Sequence, residues 1–252
     1  PSHKVIPEGL PDCVLSLNEH GGRWNGRYVL YWMQQSQRAQ HNPALERALQ
    51  HGSETGLPVL VAFGLTDGDP EANLRHFTFM LEGLRETEQR LADRGLQLEV
   101  RLGAPDEVAL HYATDAAVLV TDRGYLRHQR RWRSRVAEEA PCRVEQVEGD
   151  VVVPVETVTD KAEYAARTIR PKIHEHLERC LRLPDPVTVE TPSMGLDVEP
   201  GLSLGDIEAV TNRLTLDRSA RPVSPLYKGG TGEAERILDD FLAEHLDGLL
   251  SG

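Results

Sequence analysis

The sequence predicts an α/β fold: a Rossmann-like parallel sheet of five strands with helices on both faces, followed by a linker and the start of a helical domain. Three observations carry this reading. Five short apolar runs alternate with stretches of helical periodicity, the pattern of βαβ units joined by right-handed crossovers. The second run, LPVLVAFGL over 57–65, is apolar almost without a break, as in a strand covered on both faces. The first run, over 27–33, leads into the polar loop QQSQRAQHN before Pro43, and loops at that edge are where open α/β sheets take ligands.

The elements follow in order. Residues 1–26 mix Gly, Pro and polar residues without a period and read as an N-terminal arm. The strand at 27–33 precedes a helix from Pro43 to about His51, proline being suited to a first helical position. After the strand at 57–65, Asp67 or Asp69 is expected to cap a long helix from about Pro70 to Arg94, which Gly95 ends. Leu74, Phe77, Leu81, Leu84, Glu88 and Leu91 give that helix a mostly apolar stripe. A third strand spans 97–102, and Gly103 leads into a short helix over 105–112. The fourth strand is 116–121, an arginine-rich helix covers 126–139, and the fifth strand is 143–147, with an extended segment at 151–155.

Beyond Asp160 the character changes. Residues 161–182 read as one helix interrupted at Pro171, and the α/β domain is drawn over 27–175. Four prolines within 183–203 mark a surface-crossing linker, drawn over 176–232, with one short helix beginning near Asp206. A last helix from Glu233 sets Ile237, Leu238, Phe241, Leu242 and Leu246 on one face, and residues 233–252 read as the opening of a helical domain.

Composition narrows the classes. Hydrophobic residues at 39% and charged residues at 27% are those of a soluble globular protein. No run has the apolar length of a membrane span and residues 1–10 lack a signal peptide's order, so a cytoplasmic protein is expected. Cys13, Cys142 and Cys180 are odd in number and irregularly spaced, which suggests reduced thiols rather than a disulfide framework or zinc site. A net charge of −12 argues against nucleic-acid binding over the whole surface and leaves a local basic groove open.

Motifs for common chemistries are missing from the sequence. There is no Gly-x-Gly-x-x-Gly after the first strand, no Walker A loop, and no nucleophile-elbow context around Ser36, Ser134 or Ser224. His174 and His176 are two apart and face different sides of a helix, a poor metal geometry. Gly229-Gly230-Thr231-Gly232 has the composition of an anion nest but reads better as a turn before a helix. Arg123, Arg127, Arg130, Arg131, Arg133 and Arg135 with Trp132 form the one basic stretch; a solvated helix face is preferred to a phosphate-contacting surface. Glu163 and Arg167, four apart, are expected to pair along a helix.

Several blocks occur together in an order and spacing that resemble class II cyclobutane pyrimidine dimer photolyases. They are YWMQQSQRAQHNPAL (31–45), LPVLVAFGL (57–65), RHFTFMLEGL (75–84), LVTD (119–122), VVPV (152–155) and DKAEYAARTIRPKI (160–173). The third and last are specific, the apolar strands are not, and a weaker echo lies at 229–242. The sequence departs from the family where neutral Gln35-Ser36 and His41 stand in place of the Arg-Asp and Asp that relatives often carry.

The resemblance implies a two-domain enzyme of light-driven DNA repair. Its α/β domain can hold an antenna chromophore, and its helical domain binds FAD and UV-damaged DNA, flipping the pyrimidine dimer out of the stack for repair by electron transfer. This chain looks like the first domain, the linker and the first helix of the second. By itself it is therefore expected neither to hold FAD tightly nor to repair DNA, and no catalytic residue is assigned within it. The antenna implied is a deazaflavin. Met33, Gln34 and Gln35 after the first strand, Phe63, Gly64 and Leu65 after the second, and Gly103 after the third would form its pocket. The alternative is that Met33 and Phe63 are ordinary core residues and side chains fill the space. Two other functions stay open at this point: a cryptochrome-like photoreceptor without repair activity, and a stand-alone nucleotide-binding domain.

Overall fold

The computed structural model describes residues 13–23, 25–68, 71–181, 185–224 and 226–246. Its frame is a six-stranded sheet of β1 (Val14–Ser16), β2 (Tyr28–Met33), β3 (Val59–Leu65), β4 (Gln97–Leu102), β5 (Ala116–Asp122) and β6 (Arg143–Val147), in the order β1-β6-β5-β2-β3-β4. β2 to β6 run parallel, while β1 pairs antiparallel with β6, Val14 opposite Val147. The expected five-stranded parallel sheet is thus corrected to a mixed one. The extra strand comes from the presumed arm, whose three residues are too short and too exposed to show a period of two.

α1 (Pro43–Thr55) and α2 (Leu74–Asp93) cover one face of the sheet, and α3 (Pro105–Ala113) and α4 (Arg127–Glu139) the other. β2 shows the division: Val29, Tyr31 and Met33 enter the core under α1 and α2, while Leu30 and Trp32 enter the core under α3 and α4. All six of its residues are buried, which is why the strand reads as a continuous apolar run. Strand order reverses between β2 and β5, the switch point at which doubly wound sheets open a crevice.

Helix ends differ from expectation in places. Asn73 rather than the expected Asp67 caps α2, accepting from Arg75 N at 3.1 Å, while Asp67 accepts from Thr215 N; Asp69, the other expected cap, and Pro70 lie outside the described residues. Thr87 rather than Glu88 completes the buried stripe of α2. Following the short α5 (Val155–Val158), α6 (Ala166–Cys180) runs through Pro171 without ending there. Glu163 lies ahead of α6, so it meets Lys172 at 2.5 Å instead of the expected helical partner Arg167.

Residues 185–224 lie along the sheet's outer margin. Leu202 N donates to Val100 O of β4 at 2.5 Å, and Ser193 N to Gly95 O at 2.9 Å. Leu204, Val210 and Leu214 enter the core beside α2, the last two on either side of the end of α7 (Ile207–Thr211), which Asp206 caps. α8 (Thr231–Glu244) follows the glycine turn, with Ile237, Leu238 and Leu242 about half exposed; the predicted helix beyond residue 246 lies outside the described residues.

Candidate functional site

The switch-point crevice is filled by the protein itself. Asp122, at the end of β5, is fully buried and accepts the backbone N–H groups of Gln34, Gln35 and Ser36 at 2.9, 2.5 and 2.7 Å. Three successive amides converging on one anion form the kind of nest that elsewhere holds a phosphate. Burial pushes the Asp122 carboxyl above its ordinary range, and the three amides pull against that rise. A nucleotide phosphate has no place in this nest.

The loop is fastened again by its neighbours. Asn42 Nδ2 donates to Ser36 O and Arg38 O at 3.1 and 2.9 Å, and the Asn42 side chain caps α1 through Leu45 N. Ser36 Oγ meets Asp150, and Arg38 donates to Gly149 O. Arg123 pairs with Glu156, and Tyr125 donates to Glu148, tying the next two loops of the same edge together.

Beside this edge lies a cleft of about 220 Å³. Met33 and Gln34 of the β2 end and Phe63, Gly64, Leu65 and Thr66 of the β3 end form its floor. Ala72 lines it from the turn ahead of α2, His76, Phe77 and Met80 from α2, Pro105 from the start of α3, and His128, Gln129 and Trp132 from α4. The His128 and Trp132 rings lie 4.8 Å apart, tilted by 57°. Apolar walls with a few polar edges are the usual makeup of a small-molecule site.

Five of the seven residues expected at a pocket come together here: Met33, Gln34, Phe63, Gly64 and Leu65. Gln35 and Gly103 do not line the cleft. Gln35 accepts from Gln129 Nε2 of α4 at 2.5 Å. Gly103 turns β4 into α3 at a φ of 146°, a conformation open to glycine, and donates to Leu65 O at 3.0 Å. Gly64 is required by packing: a Cβ there would stand 2.6 Å from Pro105 Cα. Sequence reasoning missed the lining from α2 and α4, although His76, Phe77 and Met80 sit inside the specific block at 75–84.

The basic stretch divides. Arg133 is buried and donates to Gln146 at 2.9 Å; Arg135 pairs with Asp106 and Glu139 at 3.1 and 2.9 Å. Arg127, Arg130 and Arg131 remain exposed, in keeping with a solvated face. Desolvation lowers the pKa of Arg133. The glycine turn before α8 is likewise satisfied from within: Gly229 N and Gly232 N donate to Glu82 and Glu86 of α2 at 2.9 and 2.8 Å. A second cavity, of about 510 Å³, opens near Tyr28, Tyr112 and Glu199. It is larger, but both tyrosine hydroxyls there already donate to backbone carbonyls, so the smaller cleft is the better site.

A family model for DNA photolyase matches residues 29–193, from β2 into the segment along β4. The chain belongs to the DNA photolyase family. It is 42% identical over 236 residues to the deoxyribodipyrimidine photo-lyase of Methanothermobacter thermautotrophicus, covering 93% of the chain and 51% of that protein. The corresponding protein of Potorous tridactylus is 33% identical over 221 residues, 86% of the chain and 41% of the relative. The chain therefore spans about half the length of these relatives. The fold matches that of a Synechocystis cryptochrome at a TM-score of 0.62 and 15% identity, covering 85% of the chain and 46% of that structure. A class III photolyase from Agrobacterium tumefaciens matches equally well at 17% identity, over 86% of the chain and 45% of the structure. The cleft and the Asp122 nest both lie within the matched region. Among the described residues, no helix is long and apolar enough to cross a membrane.

Proposed function

We propose that this chain is the antenna-type α/β part of a class II deoxyribodipyrimidine photo-lyase, a cytoplasmic enzyme that splits cyclobutane pyrimidine dimers by light-driven electron transfer from reduced FAD. The observation that carries the reading is an apolar cleft at the carboxyl ends of β2 and β3, in a chain 42% identical to a protein named for that activity. The blocks at 75–84 and 160–173 support the class. In this reading residues 27–175 gather light, 176–232 bridge, and 233–252 begin the helical domain that holds FAD and the damaged DNA.

The cleft fits a flat deazaflavin ring. Its volume is below the roughly 300–1,000 Å³ usual for whole-ligand pockets, so it suits one ring system with the remainder of the ligand outside. When bound, such a ring supplies absorption of near-ultraviolet and blue light and passes the excitation on. The chain's residues hold it: Met33, Phe63, Leu65, Phe77 and Met80 exclude water from its faces, and Trp132 offers an aromatic edge. The thioethers of Met33 and Met80 adapt to its outline. Because Asp122 already fills the amide nest, affinity must come from the ring rather than a phosphate.

The test is repair by the full-length gene product. An oligonucleotide with one cyclobutane dimer should be restored under blue light and remain unrepaired in the dark. Flavin binding with no repair in the light would overturn the enzyme reading. An action spectrum lacking any deazaflavin band in reconstituted protein would overturn the antenna.

A further inference from the structure

A ligand in a mostly apolar cleft still needs polar groups to fix its orientation. Two imidazoles border it, and they are prepared differently. His76 stands at the third position of α2, where its Nδ1 accepts the backbone N–H of Asn73 at 3.2 Å, closing a capping box. An acceptor nitrogen carries no proton, so in the neutral ring the hydrogen lies on Nε2. The helix start itself thus chooses the tautomer. Among the described residues Nε2 meets no hydrogen-bond partner, and the side chain is exposed at the cleft. His128 has no such bond; its ring is set against Trp132 instead.

We infer that His76 is an orienting residue of the cleft: its Nε2–H donates to a carbonyl or phenolate oxygen on the edge of a planar heteroaromatic ligand. This rests on the reading that the cleft holds a flat chromophore. A donor fixed before binding costs no reorganisation when the ligand arrives. Ligands without an edge oxygen forgo this hydrogen bond, so the cleft discriminates among rings of equal size.

The test uses two substitutions that keep the capping box. His76→Gln supplies an acceptor to Asn73 N and retains an amide donor, whereas His76→Glu supplies the same acceptor and presents no donor at neutral pH. The full chain and both variants are titrated with 8-hydroxy-5-deazariboflavin by fluorescence, with urea unfolding as the fold control. Binding by His76→Glu should weaken at least tenfold, and by His76→Gln no more than about threefold, with unfolding midpoints unchanged. Equal affinity in all three proteins overturns the role of His76 and leaves the antenna reading standing. Equal loss in both variants overturns the donor role, since the amide should restore it. Failure of the folded parent chain to bind the deazaflavin overturns the antenna reading, and this inference with it.

Discussion

Replacing Glu145 with glutamine removes the negative centre of a buried charge cluster between β6 and α1. The carboxylate is fully buried and meets Arg47 at 2.8 and 3.3 Å, His51 Nε2 at 2.9 Å and Arg143 at 2.5 Å. Burial alone would raise its pKa, but hydrogen bonds from His51 and Arg47 and their charges hold it down at about 2. Against an ordinary value of 4.5, that corresponds to about 3.4 kcal/mol at about 1.36 kcal/mol per pH unit. Removing one partner of a buried pair costs about 3–5 kcal/mol by an independent route, because the cations stay behind uncompensated. The two agree, and E145Q should lose about 3 kcal/mol at pH 7.

The pH dependence follows from a carboxyl whose folded pKa is depressed. The stabilisation is complete above the unfolded value and is lost as pH falls from about 4.5 towards 2. At pH 3 about 1.5 kcal/mol of it should remain. Urea unfolding of parent and variant at pH 7 and pH 3, with equal slopes, reads both differences. A variant within about 0.5 kcal/mol of the parent at pH 7, or a gap unchanged at pH 3, would refute the reasoning.

Three further outcomes are expected. Asp122→Ala leaves the amides of Gln34, Gln35 and Ser36 unpaired, and at about 1–3 kcal/mol for a buried orphan it should cost at least about 3 kcal/mol by urea unfolding; hydrogen exchange at residues 34–36 should accelerate selectively. Gly64→Ala forces a Cβ against Pro105 and should cost about 1–3 kcal/mol of overpacking, read as a lowered Tm. Gly229→Ala meets the carbonyl of Phe79 where α8 approaches α2, so exchange at residues 229–246 should rise while that of the sheet is unchanged; full protection of α8 in the variant would contradict the close approach.

Local pattern alone fixed much of this molecule. The spans 97–102 and 143–147 coincide with β4 and β6, because short valine- and leucine-bearing segments between turn signals have few other solutions. Pro43 does begin α1 and Asp206 does cap α7, since capping depends on immediate neighbours. Met33, Gln34, Phe63, Gly64 and Leu65 follow from the resemblance to photolyases rather than from local pattern; they share one cleft because the ends of parallel β2 and β3 lie at one edge of the sheet.

Tertiary structure decided what those ends face. The carboxylate filling the nest of residues 34–36 comes from Asp122, more than eighty positions away, and ordinary spacing rules do not reach that far. The walls supplied by His76, Met80 and Trp132 depend on how α2 and α4 lie over the sheet. β1 exists only because β6 leaves an edge to pair. Glu145, one of three polar residues in β6, signals nothing until Arg47, His51 and Arg143 surround it. Periodicity records which face of an element is buried; which charges and rings meet there is settled by packing, a property of no single segment.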